Sequence, residues 1–156
     1  MAQRVQQIAS HLAGNNPAVA RVGKKTPDDV VVVTAVRTPI TKAKKGGFKD
    51  TVPEDLLAAV FKAILEKSKI DPKLIQDIAV GNVLPAGGGA TVARAAALYA
   101  GIPDTAALNT VNRQCSSGLQ ATVQIAHEIA LDQIEIGIGI NNNFFIFDLS
   151  HFYLLN

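Results

Sequence analysis

Asn112-Arg113-Gln114-Cys115-Ser116-Ser117-Gly118 contains the only cysteine of the chain. It follows an apolar run, Ala106 to Val111, that reads as a strand, and precedes a long, nearly uncharged run that reads as a buried helix. A thiol at such a strand-to-helix junction sits where the N-terminal N–H groups of the helix converge. Those groups and the helix dipole favour the thiolate, which is the nucleophilic form. Position alone leaves a second reading open, because a free cysteine commonly packs as a small hydrophobe. The other side chains suited to proton transfer are the three histidines, His11, His127 and His151, which lie far apart in sequence. With a single Cys they match no zinc-ligand spacing. His127 falls too far along the helix beyond Cys115, at about 1.5 Å per residue, to serve as its base. No motif surrounds His151, and nothing in the sequence places it near Cys115.

The elements that must position Cys115 emerge from the hydrophobic pattern. Asp29 to Pro39 reads as a strand centred on Val30-Val31-Val32-Val33, and a continuous β-branched run suggests cover on both faces. A Lys- and Gly-rich loop continues through Asp50. Thr51-Val52-Pro53-Glu54 has capping-box spacing, and Leu56, Leu57, Val60, Phe61, Ile64 and Leu65 fall on one face of the helix it opens. Glu54 and Asp55 suit its first turn, Lys67 and Lys69 its last. Asp71-Pro72 ends it. Asp77 to Leu84 reads as a second strand, Pro85 to Gly89 as a loop, and Thr91 to Ala100 as a second helix stopped by Gly101. The triple glycine Gly87-Gly88-Gly89 suits close backbone packing. No full phosphate-binding motif accompanies it. Beyond Cys115, Leu119, Val123, Ala126 and Ala130 form one apolar stripe, and Ala121, Ile125 and Ile129 form another, which implies burial on more than one side. Glu135 to Ile140 reads as a fourth strand. The order βαβαβαβ predicts an α/β layered fold with a mostly parallel central sheet and right-handed crossovers.

Composition narrows the function classes. The chain has 156 residues and a formal net charge of +2, enough length for one domain with a real core. Its densest basic cluster, Lys42, Lys44, Lys45 and Lys49, sits in a glycine-containing loop and reads as a solvated face, so no nucleic-acid partner is expected. No apolar stretch of 18 residues occurs, so no membrane-spanning helix is expected. One cysteine excludes an internal disulfide framework.

Residues 1–27 differ in character from the body of the chain and read as a targeting segment and linker. Arg4-Val5, five residues, then His11-Leu12 matches a peroxisomal targeting signal of the second type. On a helix, positions 4, 5, 8, 11 and 12 share one face, so Arg4 and His11 would flank Val5, Ile8 and Leu12 on a surface an import receptor could read. Two other readings stay open: a frayed amphipathic terminus, and a mitochondrial presequence, for which Arg and Ser are sparse.

The residues from Asp29 to Gly139 resemble the N-terminal half of the thiolase family, of the peroxisomal 3-ketoacyl-CoA type. The resemblance rests on Asn112 to Gly118 as the nucleophile motif, on Gly81-Asn82-Val83-Leu84 with the glycines up to Gly89, on Ala93-Arg94-Ala95-Ala96, and on Val33 to Pro39. It implies a thiolase-like layered fold and an acetyl-CoA C-acyltransferase of peroxisomal fatty-acid β-oxidation, located in the peroxisome matrix. Cys115 would be the acyl-thioester nucleophile, with 3-ketoacyl-CoA and CoA as substrates, no bound cofactor and no metal. It implies a homodimer in the full-length family.

The resemblance stops after Gly139. Residues 28–140 read as an incomplete thiolase N-terminal domain and 141–156 as a tail outside the family pattern, holding five of the eight aromatics of the chain. A switch of that kind suggests intron read-through, a frameshift or an alternative exon, and the other reading is a strand or helix that covers the sheet. The family's histidine base, second cysteine and CoA-holding loop domain have no counterpart in these residues. The expectation is a truncated half-molecule of marginal stability, inactive by itself. The alternatives are a non-catalytic product that associates with full-length subunits, and another thiolase-fold condensing enzyme such as an acetoacetyl-CoA thiolase.

Overall fold

A computed structural model describes Gln6, Thr26, Pro27, residues 29–42 and 44–142, and the backbone of 151–155. The proposed targeting residues Arg4, Val5, His11 and Leu12 lie outside the described residues, as does most of the tail.

The sequence pattern resolves into strand β1 (Val31–Val36), helix α1 (Pro53–Ser68), β2 (Asp77–Gly81), α2 (Ala90–Tyr99), β3 (Ala107–Val111), α3 (Ser117–Ala130), β4 (Ile136–Asn141) and β5 (His151–Leu155). The sheet order is β1-β5-β4-β2-β3. β2 pairs in parallel with both β3 and β4, whereas β5 runs antiparallel to both its neighbours, β1 and β4. All strands but β5 therefore point the same way, as the alternating order of strands and helices predicts.

Crossover handedness decides the layers. The chain moves across the sheet in one direction from β1 to β2 to β3, then reverses to reach β4. Right-handed connections then put α1 and α2 on one face and α3 on the other. The strand sequences agree. Ile78 and Val80 of β2 and Ile138 and Ile140 of β4 are buried in one cluster with Leu57, Phe61 and Ile64 of α1 and Ala93, Ala96 and Ala97 of α2. The alternate positions, Ala79, Gly137 and Gly139, are small and face α3, whose Ala121, Ile125 and Ile129 are fully buried against them. Large residues on one side and small ones on the other let α3 come down close to the sheet.

Three local expectations need correction. The capping box at Thr51 does not form: α1 begins at Pro53 with Val52 as its N-cap and no side-chain cap hydrogen bond. A proline drives the residue before it out of the helical region, and Val52 is extended (φ −78°, ψ 151°), so the start is set by Pro53 rather than by a threonine hydroxyl. Lys69 is not in the last turn but at the C-cap, left-handed at φ 58°. The valines of β1 are not covered on both faces: Val31, Val32 and Val33 are 49, 49 and 45% exposed. β1 is an edge strand, and a run of valines reads the same whether or not the second layer is present.

The tail also departs from a simple cover. Residues 151–155 enter the sheet itself, with Ala35 opposite Phe152 on one side and Gly139 opposite Phe152 on the other. β1 has no strand neighbour other than β5 among the described residues.

Candidate active site

The C-terminal ends of β2, β3 and β4 converge beneath the N-terminus of α3. Gly81, at the end of β2, touches the first turn of α3 so closely that a Cβ there would lie 2.6 Å from the Ser117 carbonyl carbon. Asn142 N–H donates to the Gly81 carbonyl (2.7 Å), and Asn82 N–H donates to the Val111 carbonyl (3.0 Å), so the three strand ends are tied beyond the regular ladder. Asn82 is 2% exposed. Its Nδ2 donates to the Gly88 carbonyl at 3.0 Å. That bond pulls the glycine turn over the strand ends, where Gly87, Gly88 and Gly89 all take positive φ (64°, 74° and 72°) and lead straight into α2. The triple glycine thus serves a tight turn. On the next helix, Arg94 Nη1 donates to the Ala106 carbonyl (2.8 Å) and fixes α2 to the start of β3.

Cys115 is exposed and free, so it does not pack as a small buried hydrophobe. It sits in the short turn between β3 and α3. The residue before it, Gln114, is left-handed (φ 52°) although it is not glycine. Gln114 N–H donates to Asn112 Oδ1 at 3.0 Å, and Asn112 Nδ2 donates to the Val83 carbonyl at 3.3 Å. On the far side, Ser117 Oγ donates to the Gln114 carbonyl (2.6 Å) and accepts from Arg113 N–H (2.9 Å). The Arg113 guanidinium donates to Gln120 Oε1 one turn into α3. The helix start therefore has no side-chain N-cap from Ser116.

His127 is exposed near the other end of α3. Ten residues of helix separate it from Ser117, about 15 Å, so it does not meet Cys115. His151 begins β5 opposite Val36, the last residue of β1, so its backbone lies at the same end of the sheet as Asn141, the last residue of β4. Among the described residues, no group of three His, Cys, Asp or Glu could hold a metal, and no helix is long and apolar enough to cross a membrane.

Cys115 and its flanking motif were legible in the sequence. Ser117, Asn82 and Gly81 were not singled out for any role at the site. Asn112 two residues before Gln114 is the spacing of an Asx turn, a signal that does point to the bend. Nothing in the sequence marks Gln114 as left-handed.

The fold is a layered α/β/α unit that displays a cysteine at the strand-to-helix junction above its sheet. The chain belongs to the thiolase family: residues 30–140 match the family model described as "Thiolase, N-terminal domain". A peroxisomal 3-ketoacyl-CoA thiolase of Yarrowia lipolytica is 51% identical over 138 residues, 87% of this chain and 33% of the relative. The peroxisomal 3-ketoacyl CoA thiolase 1 of Petunia hybrida is 52% identical over 128 residues, 81% of this chain and 28% of the relative. Among solved structures, the peroxisomal 3-ketoacyl-CoA thiolase of Saccharomyces cerevisiae, described as five-layered and built from two core domains of identical topology, superposes with a TM-score of 0.71 at 44% identity, covering 75% of this chain and 35% of that one. A thiolase of Ascaris suum in complex with coenzyme A gives 0.67 at 31% identity, covering 72% of this chain and 29% of that one. The chain spans about a third of the length of the curated relatives it matches.

Proposed function

We propose that this chain carries the acyl-accepting cysteine of a peroxisomal 3-ketoacyl-CoA thiolase. The observation that carries the proposal is the exposure of Cys115 on a braced turn at the start of α3, within the motif Asn112 to Gly118. In the reaction, the Cys115 sulfur attacks the 3-keto carbonyl carbon of a 3-ketoacyl-CoA. The bond between C2 and C3 breaks, its electron pair leaves on C2, and C2 takes a proton to give acetyl-CoA. The shortened acyl group stays on sulfur as a thioester. The thiol of a second CoA then attacks that thioester, gives up its proton and releases Cys115 as thiolate. The resemblance assigns the two proton transfers to a histidine and a second cysteine. The sequence has one cysteine, and His127 stands too far away, so these residues by themselves support acyl capture rather than turnover.

The test is a single-turnover incubation of the purified chain with acetyl-CoA, followed by intact-mass and peptide analysis. One acetyl group on Cys115, absent in Cys115→Ser, is the expected result. Failure to label Cys115 in a folded chain overturns the proposal. Steady-state thiolysis of acetoacetyl-CoA at an ordinary enzymatic rate would overturn the claim that the residues do not turn over alone.

A second reading is that the chain pairs with other thiolase subunits without catalysing anything. It is favoured by apolar side chains left open on the helices, with Leu119 and Leu131 each 68% exposed. A similar structure, the dimeric peroxisomal thiolase of Saccharomyces cerevisiae, supports such pairing. In either case the proposed location is the peroxisome matrix, reached through a receptor that reads Arg4, Val5, His11 and Leu12.

A further inference from the structure

We infer that Asn112 and Ser117 act as a two-sided clamp on the backbone of Gln114, and that this clamp positions Cys115. Both hydrogen-bonding groups of Gln114 are held by side chains. Its N–H is taken by Asn112 Oδ1 at 3.0 Å, and its carbonyl receives Ser117 Oγ at 2.6 Å and Ser117 N–H at 3.1 Å. The same Ser117 oxygen accepts Arg113 N–H at 2.9 Å, so one hydroxyl joins the peptides on both sides of the bend. Ser117 is fully buried and its backbone lies against Gly81 at the end of β2, so its hydroxyl springs from a residue anchored on the sheet. Asn112 is fixed in turn by its bond to the Val83 carbonyl.

The clamp matters because of what it holds. Gln114 is left-handed at φ 52°, a region that residues with a Cβ seldom occupy. Released, Gln114 would relax towards the ordinary basins, and Cys115, the next residue, would swing with it. Asx-type and serine bonds to nearby backbone are a recognised way to hold such a bend. Asn112 and Ser117 do not touch the reacting atoms in this scheme. They set where the thiol stands above the strand ends, and misplacing a reacting group by a fraction of the site's size costs rate steeply.

The inference rests on Cys115 being the acyl acceptor, and the experiment separates the two. Cys115 is the only cysteine, so a nitroxide label attached there reports the order of this turn directly. The full chain is compared as wild type, Ser117→Ala, Asn112→Ala and Leu119→Ala, the last an exposed residue with no hydrogen-bonding side chain. All spectra are taken at a temperature where circular dichroism shows the chain folded. The expected result is a growth of the mobile spectral component in Ser117→Ala and Asn112→Ala but not in Leu119→Ala, together with a fall of roughly tenfold or more in acetyl capture by the unlabelled variants. Asn112 is exposed, so its variant stands in should the buried Ser117→Ala fail to fold. Unchanged spectra in the folded clamp variants overturn the inference, as does acetyl capture at the wild-type rate. A chain whose spectra show the expected pattern but whose wild type captures no acetyl group keeps the clamp and loses the thiolase reading instead.

Discussion

The backbone of Gly81, at the end of β2, lies against the backbone of Ser117, at the start of α3: a Cβ on Gly81 would meet the Ser117 carbonyl carbon and oxygen at 2.6 and 2.7 Å and the Gly118 nitrogen at 2.7 Å. Neither partner can yield by rotating a side chain, since all are backbone atoms. Gly81→Ala must therefore lift the first turn of α3 from the sheet. The expected cost is about 1–3 kcal/mol, read as a lower urea midpoint, in the range found for overpacking a tight contact. Acetyl capture at Cys115 should fall further than stability does, because the displaced turn carries the thiol. A Gly81→Ala chain with wild-type midpoint and capture rate would show that α3 does not need this approach.

Sheet order makes a second prediction. Among the described residues β1 joins the sheet only through β5, and the Phe152 backbone faces Ala35 on one side and Gly139 on the other. A proline in a strand with neighbours on both sides removes a donor and clashes with the ladder. Phe152→Pro should detach β1 while leaving β2, β3 and β4 paired. Hydrogen exchange reads this residue by residue: the amides of Val31–Val36 lose protection, and those of Asp77–Gly81 keep it. Equal loss in both strands would mean that the sheet opens as one unit.

Those two relationships also show what the sequence made legible and what it did not. The faces of β4 are written plainly, because isoleucine at 136, 138 and 140 alternates with glycine at 137 and 139, and strand period forces them to opposite sides. The buried stripe of α3, Ala121-Ile125-Ile129, is equally plain. Its other stripe misleads: Leu119 is open to solvent, since an apolar helix face records what a surface can bury, not what covers it here. The slot of β5 is invisible for a different reason. Strand pairing is non-local, and an aromatic-rich tail carries no mark of which two strands it enters. The left-handed turn at Gln114 is hidden because its determinants, Asn112 and Ser117, are ordinary polar residues whose effect depends on geometry. Cys115 is the one candidate nucleophile visible in the sequence, but its place at a strand-to-helix junction leaves a packing role open, and only the surrounding motif Asn112 to Gly118 favours the acyl-accepting reading.

The N-terminal segment is testable apart from the fold. If residues 1–27 carry an import signal read on one helical face, they should direct a fused fluorescent protein into peroxisomes. Arg4→Ala or His11→Ala should each leave the fusion in the cytosol, whereas a change at Gln6, opposite the shared face of positions 4, 5, 8, 11 and 12, should not. Import into mitochondria, or an even cytosolic distribution of the unaltered fusion, would overturn the assignment.

The open helix faces yield the last prediction. Leu119 and Leu131 of α3 and its C-cap are each 68% exposed, and Leu98 and Tyr99 of α2 are 47 and 73% exposed, the latter with Lys62 Nζ 4.1 Å from its ring centroid. Such side chains keep some solvent-facing apolar surface on both outer layers, and the valines of β1 add to it at the sheet edge. Burying apolar surface yields about 25 cal/mol per Å², so self-association of the isolated chain is the expected outcome at micromolar concentration. Replacing Leu119 and Leu131 by Gln removes apolar area without entering the core, where Ala121, Ile125 and Ile129 hold α3 in place. The doubly substituted chain should sediment more nearly as a monomer, with an unfolding free energy within about 0.5 kcal/mol of the parent, as for other surface substitutions. If the parent already sediments as a monomer with a cooperative, high-temperature melt, the exposed faces are not sticky and the chain is self-sufficient. If the substituted chain associates as strongly as the parent, contact runs through another surface, and the exposed edge of β1 is the next to alter.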